Sequence, residues 1–136
     1  MRVLIDTNVV LDFLLDREPF GENAAKLFEK IDVGEVEGLI AATTVTNIYY
    51  IVRKAAGLVS AQDAISQIMM DLRICAVDRG ILEQAIALSF QDFEDAVQCA
   101  CAITHEVDAI VTRDASGFVN AEISVVSPES LENLMD

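Results

Sequence analysis

Short apolar runs alternate along the chain with longer amphipathic stretches. Val3-Leu4-Ile5, Gly38 to Ala42, Ile74 to Val77, Asp108 to Thr112 and Ile123 to Val126 read as strands: short, rich in β-branched residues and bounded by turn or helix-start residues. Between them, apolar positions recur at helical spacing. Ala24, Leu27, Phe28 and Ile31 form one such face, ending near Gly34; Val45, Ile48, Tyr49 and Val52 form another, closed by Gly57. Further faces are Ala64, Ile65, Ile68, Met69 and Leu72, then Ile81, Leu82, Ala85 and Ile86, then Ala96, Val97, Ala100 and Ile103. A short helix is expected from near Val9 to Asp16, stopped by Pro19, and a terminal helix from Pro128, which its ring tolerates in a first turn. Start signals accompany the pattern. Thr43 or Thr44 can cap one helix, Ser60-Ala-Gln-Asp63 is a near capping box for the next, and Asp78 and Asp92 open two more.

Strands alternating with helices predict an α/β fold: a three-layer α/β/α sandwich around a mainly parallel sheet of four to five strands, as one domain over residues 1–136. Hydrophobic residues make up 53% of the chain and tryptophan is absent, so the core must rest on aliphatic side chains. No apolar run approaches the length of a membrane span, and an acid at position 6 interrupts the place of a signal peptide's apolar region. A cytoplasmic protein is expected. Three cysteines without C-x-x-C spacing, Cys75, Cys99 and Cys101, read as buried thiols rather than disulfides or a zinc site.

Charge narrows the possible partners. Nine basic residues against 23 acidic ones give a formal charge of −14, which opposes any general affinity for nucleic acid or anionic membrane. A polyanionic substrate would need metal ions to mediate its contact, and a protein partner should be basic. Neither phosphate-cradling glycine motif is present, so a dinucleotide or P-loop nucleotide is not expected.

Candidate chemistry lies where strands end and helices begin. Asp6 closes the first strand, Asp114 follows the fourth, and Asp92 and Asp95 stand at the start of the helix that feeds it. Ligands gather at the carboxyl ends of strands in open α/β sheets, and carboxylates converging there without basic neighbours suit a hard divalent cation. Each acid also has a plainer reading: Asp6 and Asp92 as helix caps, Asp95 as a first-turn acid on the helix dipole, Asp114 as a turn residue before Gly117.

Four motifs in order, Val-Leu-Ile-Asp6-Thr7-Asn8, Thr44-Val-Thr-Asn47-Ile-Tyr-Tyr, Asp92-Phe-Glu-Asp95-Ala96 and Ile-Val-Thr112-Arg113-Asp114 with Phe118, resemble the PIN domain family across essentially the whole chain. Its small members include the VapC-type toxin ribonucleases. The resemblance implies metal-dependent hydrolysis of RNA, with Asp6, Asp95 and Asp114 as the catalytic carboxylates holding Mg²⁺ or Mn²⁺. Thr112 would support them, with Asn8, Asn47 and Asp92 around the site. It also implies a homodimer and, for a toxin, an antitoxin protein as partner.

One departure stands out. Most active members carry a glutamate at the position of Asn47, whose amide can orient a metal-bound water but adds no charge and cannot act as a base. Glu94 is expected to point about 100° away from Asp95 and not to compensate. The alternative is therefore a weak or inactive PIN-like domain that binds RNA or protein. A phosphatase of the haloacid dehalogenase type would need an acid where Asn8 stands. His105, one turn before a helix end, reads as a solvated or dipole-facing residue, Tyr49 and Tyr50 read by default as core or half-core residues with base stacking or a dimer interface as the alternatives, and Arg17, Arg53, Lys54 and Arg113 are weak candidates for phosphate contacts.

Overall fold

The computed structural model of the protein describes residues 1–131 and residue 135. The elements run β1 (Arg2–Ile5), α1 (Thr7–Leu14), α2 (Gly21–Asp32), β2 (Glu37–Ala41), α3 (Ala42–Ala56), α4 (Leu58–Asp71), β3 (Arg73–Cys75), α5 (Arg79–Ala87), α6 (Phe93–Thr104), β4 (Ala109–Val111), a 3₁₀ turn (Ala115–Phe118) and β5 (Val125–Val126). Every strand pair is parallel, in the order β3-β2-β1-β4-β5.

Successive strand residues point to opposite faces and divide the core in two. Val3, Ile5, Ile40, Ala109 and Val111 pack with α1 to α4, while Leu4, Leu39, Ala41, Cys75 and Ile110 pack with α5 and α6. Three layers follow, and the central strands are apolar at consecutive positions because both faces are covered. Helix α6 is buried all round from Ala96 to Ala102, which explains why both arms of the C-x-C pair are enclosed although they lie on different sides of the helix. All three thiols are free and buried, and burial pushes Cys75 up to about 11 and Cys101 up to about 12, so neither is reactive at neutral pH.

Boundaries moved where tertiary context outweighed local signals. Helix α1 begins at Thr7, two residues earlier than its apolar pattern suggests. Thr43 and Thr44 lie inside the first turn of α3, whose N-cap is Ala41, because the chain passes from β2 into the helix without an intervening loop. The capping box at Ser60 does not form. Gly57, at φ 95°, turns the chain between α3 and α4, so α4 has already begun at Leu58. Asp78 and Asp92 do cap, accepting from the backbone N–H of Ile81 and Asp95 at 3.1 and 3.0 Å. His105 is the C-cap of α6 rather than one turn inside it. Pro128 to Ser130 form a turn, Leu131 and Met135 are helical, and residues 132–134 and 136 of the expected terminal helix lie outside the described residues.

The strand order fixes where a site can form. From β1 the chain moves outward through β2 to β3, then crosses back over the other face through α5 and α6 to β4 on the far side of β1. The order reverses between β1 and β4, and the carboxyl ends of these two strands open a crevice. Asp6 follows one strand and Thr112 the other. Helix α6, antiparallel to β4, begins at the same edge.

Candidate active site

Asp6 is 6% exposed, and its carboxylate caps nothing in α1. Its Oδ2 accepts from the Thr112 hydroxyl at 2.7 Å, and its Oδ1 accepts from Nε2 of Gln98 at 3.1 Å. The cap reading of Asp6 is thereby corrected: its backbone carbonyl starts the helix, and the side chain is held across the β1/β4 crevice. Gln98 is completely buried, and among the described residues its Oε1 has no partner, so the side chain serves Asp6 alone. Two lone-pair positions of the carboxylate remain for other work.

A pocket of ≈ 560 Å³ opens beside it. Asp6, Asp92, Glu94, Asp95 and Asp114 line it, with Asn8 and Asn47 on the same wall system and Tyr50, Ile51 and Phe118 as its apolar part. The structure thus brings the expected acids and both asparagines to one cavity, while Thr112 lies beneath it as the prop of Asp6. Asp92 lines the pocket and caps α6 at once. Asp114 likewise does both: its Oδ1 accepts from the Ser116 hydroxyl and backbone N–H, which hold its carboxyl below the usual carboxylate range.

Glu94 overturns its expected exclusion. Glu94 and Asp95, neighbours in the first turn of α6, both line the pocket. The Thr7 hydroxyl, 3.3 Å from that of Thr44, donates to Oε1 of Glu94 at 2.8 Å and steers it there. The rotation of about 100° between their Cα–Cβ directions is bridged by the reach of the longer Glu94 side chain, which the Thr7 hydroxyl holds. Gln98 was missed as well. A glutamine one turn beyond Asp95 in an otherwise apolar, buried helix was the available signal.

Arg17 and Arg113 are not available in the way their sequence positions suggested. Each gives its Nε to one oxygen of Asp12, at 2.8 Å, and Arg113 also lies 4.1 Å from the centroid of the Phe20 ring. Asp12 is 1% exposed and ties α1 to the loop that carries Asp114. Tyr49 is half-buried against the core, but Tyr50 is 61% exposed, contrary to its core reading.

The acids strain one another. Burial first, then the charges of Asp92, Asp6, Glu94 and Asp114, push the Asp95 carboxyl up to about 7. A Cβ on Gly117 would collide with that carboxylate, so the glycine leaves it room. In the metal-free protein Asp95 therefore keeps its proton to about pH 7, whereas the unfolded chain loses it near the ordinary Asp value. Its contribution to stability is full below that ordinary value and is lost as pH rises through about 7. Metal-free protein should melt at a higher temperature near pH 5 than near pH 8, and Asp95→Asn should flatten that difference. An unchanged slope in Asp95→Asn would show that the repulsion lies elsewhere.

Among the described residues no three carboxylate, imidazole or thiol groups are already drawn close enough to enclose an ion. The donor chemistry nevertheless fits a hard divalent cation: the polar residues of the wall are carboxylates, the amides of Asn8 and Asn47 and the hydroxyl residues Thr7 and Tyr50, no described lysine or arginine lines the cavity, and the repulsion on Asp95 is what a cation would relieve.

A profile of the PIN domain family matches residues 2–116. No curated protein matches the chain by sequence. Among solved structures, a toxin–antitoxin complex from Klebsiella pneumoniae superposes with a TM-score of 0.71 at 22% identity, covering 93% of this chain and 97% of the other. VapC20 of Mycobacterium tuberculosis, a toxin that cleaves the sarcin-ricin loop, gives 0.72 at 13% identity over 85% and 92% of the two chains. The VapBC2 complex of Rickettsia felis on promoter DNA gives 0.69 at 14% over 93% and 98%. At such identities the likeness is one of fold.

Proposed function

The chain belongs to the PIN domain family, and on that premise we propose that it is a metal-dependent ribonuclease, the toxin of a toxin–antitoxin pair. The observation that carries the reading is the convergence of Asp6, Glu94, Asp95 and Asp114 on one cavity at the strand-order reversal, with no described cation in its wall. These four carboxylates would hold Mg²⁺ or Mn²⁺. The ion would supply a bound water of lowered pKa and positive charge against the scissile phosphate.

The protein's own groups prepare that site. Thr112 and Gln98 fix Asp6 so that it need not reorganise when a ligand arrives. Thr7 and Thr44 hold Glu94 toward the cavity, where it supplies the charge that Asn47 lacks. Asn47 remains in the wall as a neutral amide able to orient a water. Asp95, held up to about 7 by burial and by its neighbours' charge, gives up its proton more readily as positive charge enters. The net charge of −14 and the family's toxin–antitoxin relatives support a basic antitoxin as partner, and a homodimer accords with the same reading. No described helix is long and apolar enough to cross a membrane.

A second reading, a binding domain without activity, takes its support from Asn47. One titration separates the two. The ribonuclease should cleave RNA with Mn²⁺, stop with EDTA, and lose Mn²⁺ affinity by roughly 10- to 100-fold on Glu94→Gln. Cleavage that persists in EDTA would sink the metal assignment; RNA binding without Mn²⁺ binding would favour the second reading.

A further inference from the structure

We propose that the outer face of α3 is a track for single-stranded RNA, on which Tyr50 stacks an unpaired base beside the acidic pocket and Lys54, flanked by Arg53, meets a neighbouring phosphate. The proposal rests on the ribonuclease reading of that pocket and names the form of substrate it takes.

The helix places these groups in a row. Ile48 and Val52 bury the inner face of α3, and Asn47, Tyr50, Ile51 and Lys54, three to four residues apart, share the outer one. Asn47, Tyr50 and Ile51 line the pocket. From Asn47 to Lys54 is seven residues, about 10 Å along the axis, the span of about three stacked nucleotides. Tyr50 is 61% exposed yet braced, edge to face with half-buried Tyr49 at 5.2 Å between centroids. A braced, exposed ring is a platform for a base.

Charge singles out the same face. Seven of the nine basic residues make ion pairs with carboxylates. Among the described residues the two that do not are Arg53 and Lys54, both exposed and one turn beyond Tyr50. The last turn of a helix favours cations through its dipole, which accounts for their position on α3 but not for the absence of a partner among the described acids. A strand that must approach a strongly negative protein gains affinity here from stacking and from two exposed cations that no described carboxylate pairs. A duplex hides its base faces and cannot use Tyr50.

The test uses Asp6→Asn protein, silenced for cleavage, and a short fluorescein-labelled RNA, single-stranded or paired to its complement, read by anisotropy. Tyr50→Ala should weaken single-strand binding roughly 5- to 100-fold and Tyr50→Phe should restore it. Joint Arg53→Gln and Lys54→Gln should reduce the salt slope by about 0.7 for each phosphate no longer neutralised, which a role confined to the helix dipole would leave unchanged. Since the chain has no tryptophan, Tyr50→Trp supplies a single indole whose fluorescence the strand should quench. Equal binding of duplex and single strand, or unchanged affinity and salt slope in these variants, overturns the track. Mn²⁺-dependent cleavage by the wild type, with Tyr50→Ala behaving like it, removes the track alone. Tyr50-dependent binding without any cleavage keeps the track and removes the ribonuclease reading; no binding of single strands removes both.

Discussion

Asp6→Asn is expected to lower RNA cleavage by at least about 100-fold, the scale on which removal of one preorganised electrostatic group from an active site is felt, while leaving the fold in place. The two halves of this result have separate causes. Activity falls because an amide brings no negative charge to the centre of the cavity and leaves one oxygen where there were two. The fold survives because the neighbours can adapt: the Thr112 hydroxyl stands 3.4 Å from the carbonyl of Asp114 and can donate there while accepting from the new amide, leaving the Asn oxygen for Gln98. Single-turnover cleavage and a thermal melt on the same preparation would read both halves. Cleavage at the wild-type rate would mean that the chemistry is not centred on Asp6.

Asp12→Ala should be the most damaging change to stability. Removing one partner of a buried ion pair costs about 3–5 kcal/mol, and here the carboxylate is 1% exposed with a guanidinium on each oxygen. The arginine side chains are 34% and 31% exposed and can turn to water, so the lower end, about 3 kcal/mol, is expected. For a domain of this size that is a fall of roughly 10 °C in melting temperature. Arg113→Ala should cost less, since Arg17 continues to pair with Asp12. A melting temperature for Asp12→Ala within a degree or two of wild type would show that the clamp is dispensable. Activity should fall in parallel, because Arg113 directly precedes Asp114 and anchors its loop to α1.

The contrast between these two aspartates shows what can be read from a chain of residues. Asp6 stands at the end of a run apolar at every position, and that break is visible without any structure. Asp12 sits on what reads as the polar side of a short helix, and its partner Arg113 is 101 positions away. The same holds for Gln98 and Glu94. Their relation to Asp6 and Thr7 spans 92 and 87 positions, and helical angles alone argued against Glu94.

By itself the sequence determined the layered α/β architecture and parallel sheet, the aliphatic core, and the acids that could matter, because periodicity, turn chemistry and charge are local properties that each residue carries with it. Strand order was decided only in three dimensions. It is the crossing from β3 back over the sheet to β4 that places the end of β1, the end of β4 and the start of α6 at one edge, so that five carboxylates share a single cavity while the Thr112 hydroxyl and the Gln98 amide hold Asp6 beside it. The tertiary structure also decided which groups stay free. Arg17 and Arg113 are spent on Asp12, while Tyr50, Arg53 and Lys54 face outward, because pairing and burial depend on neighbours that the order of residues along the chain does not reveal.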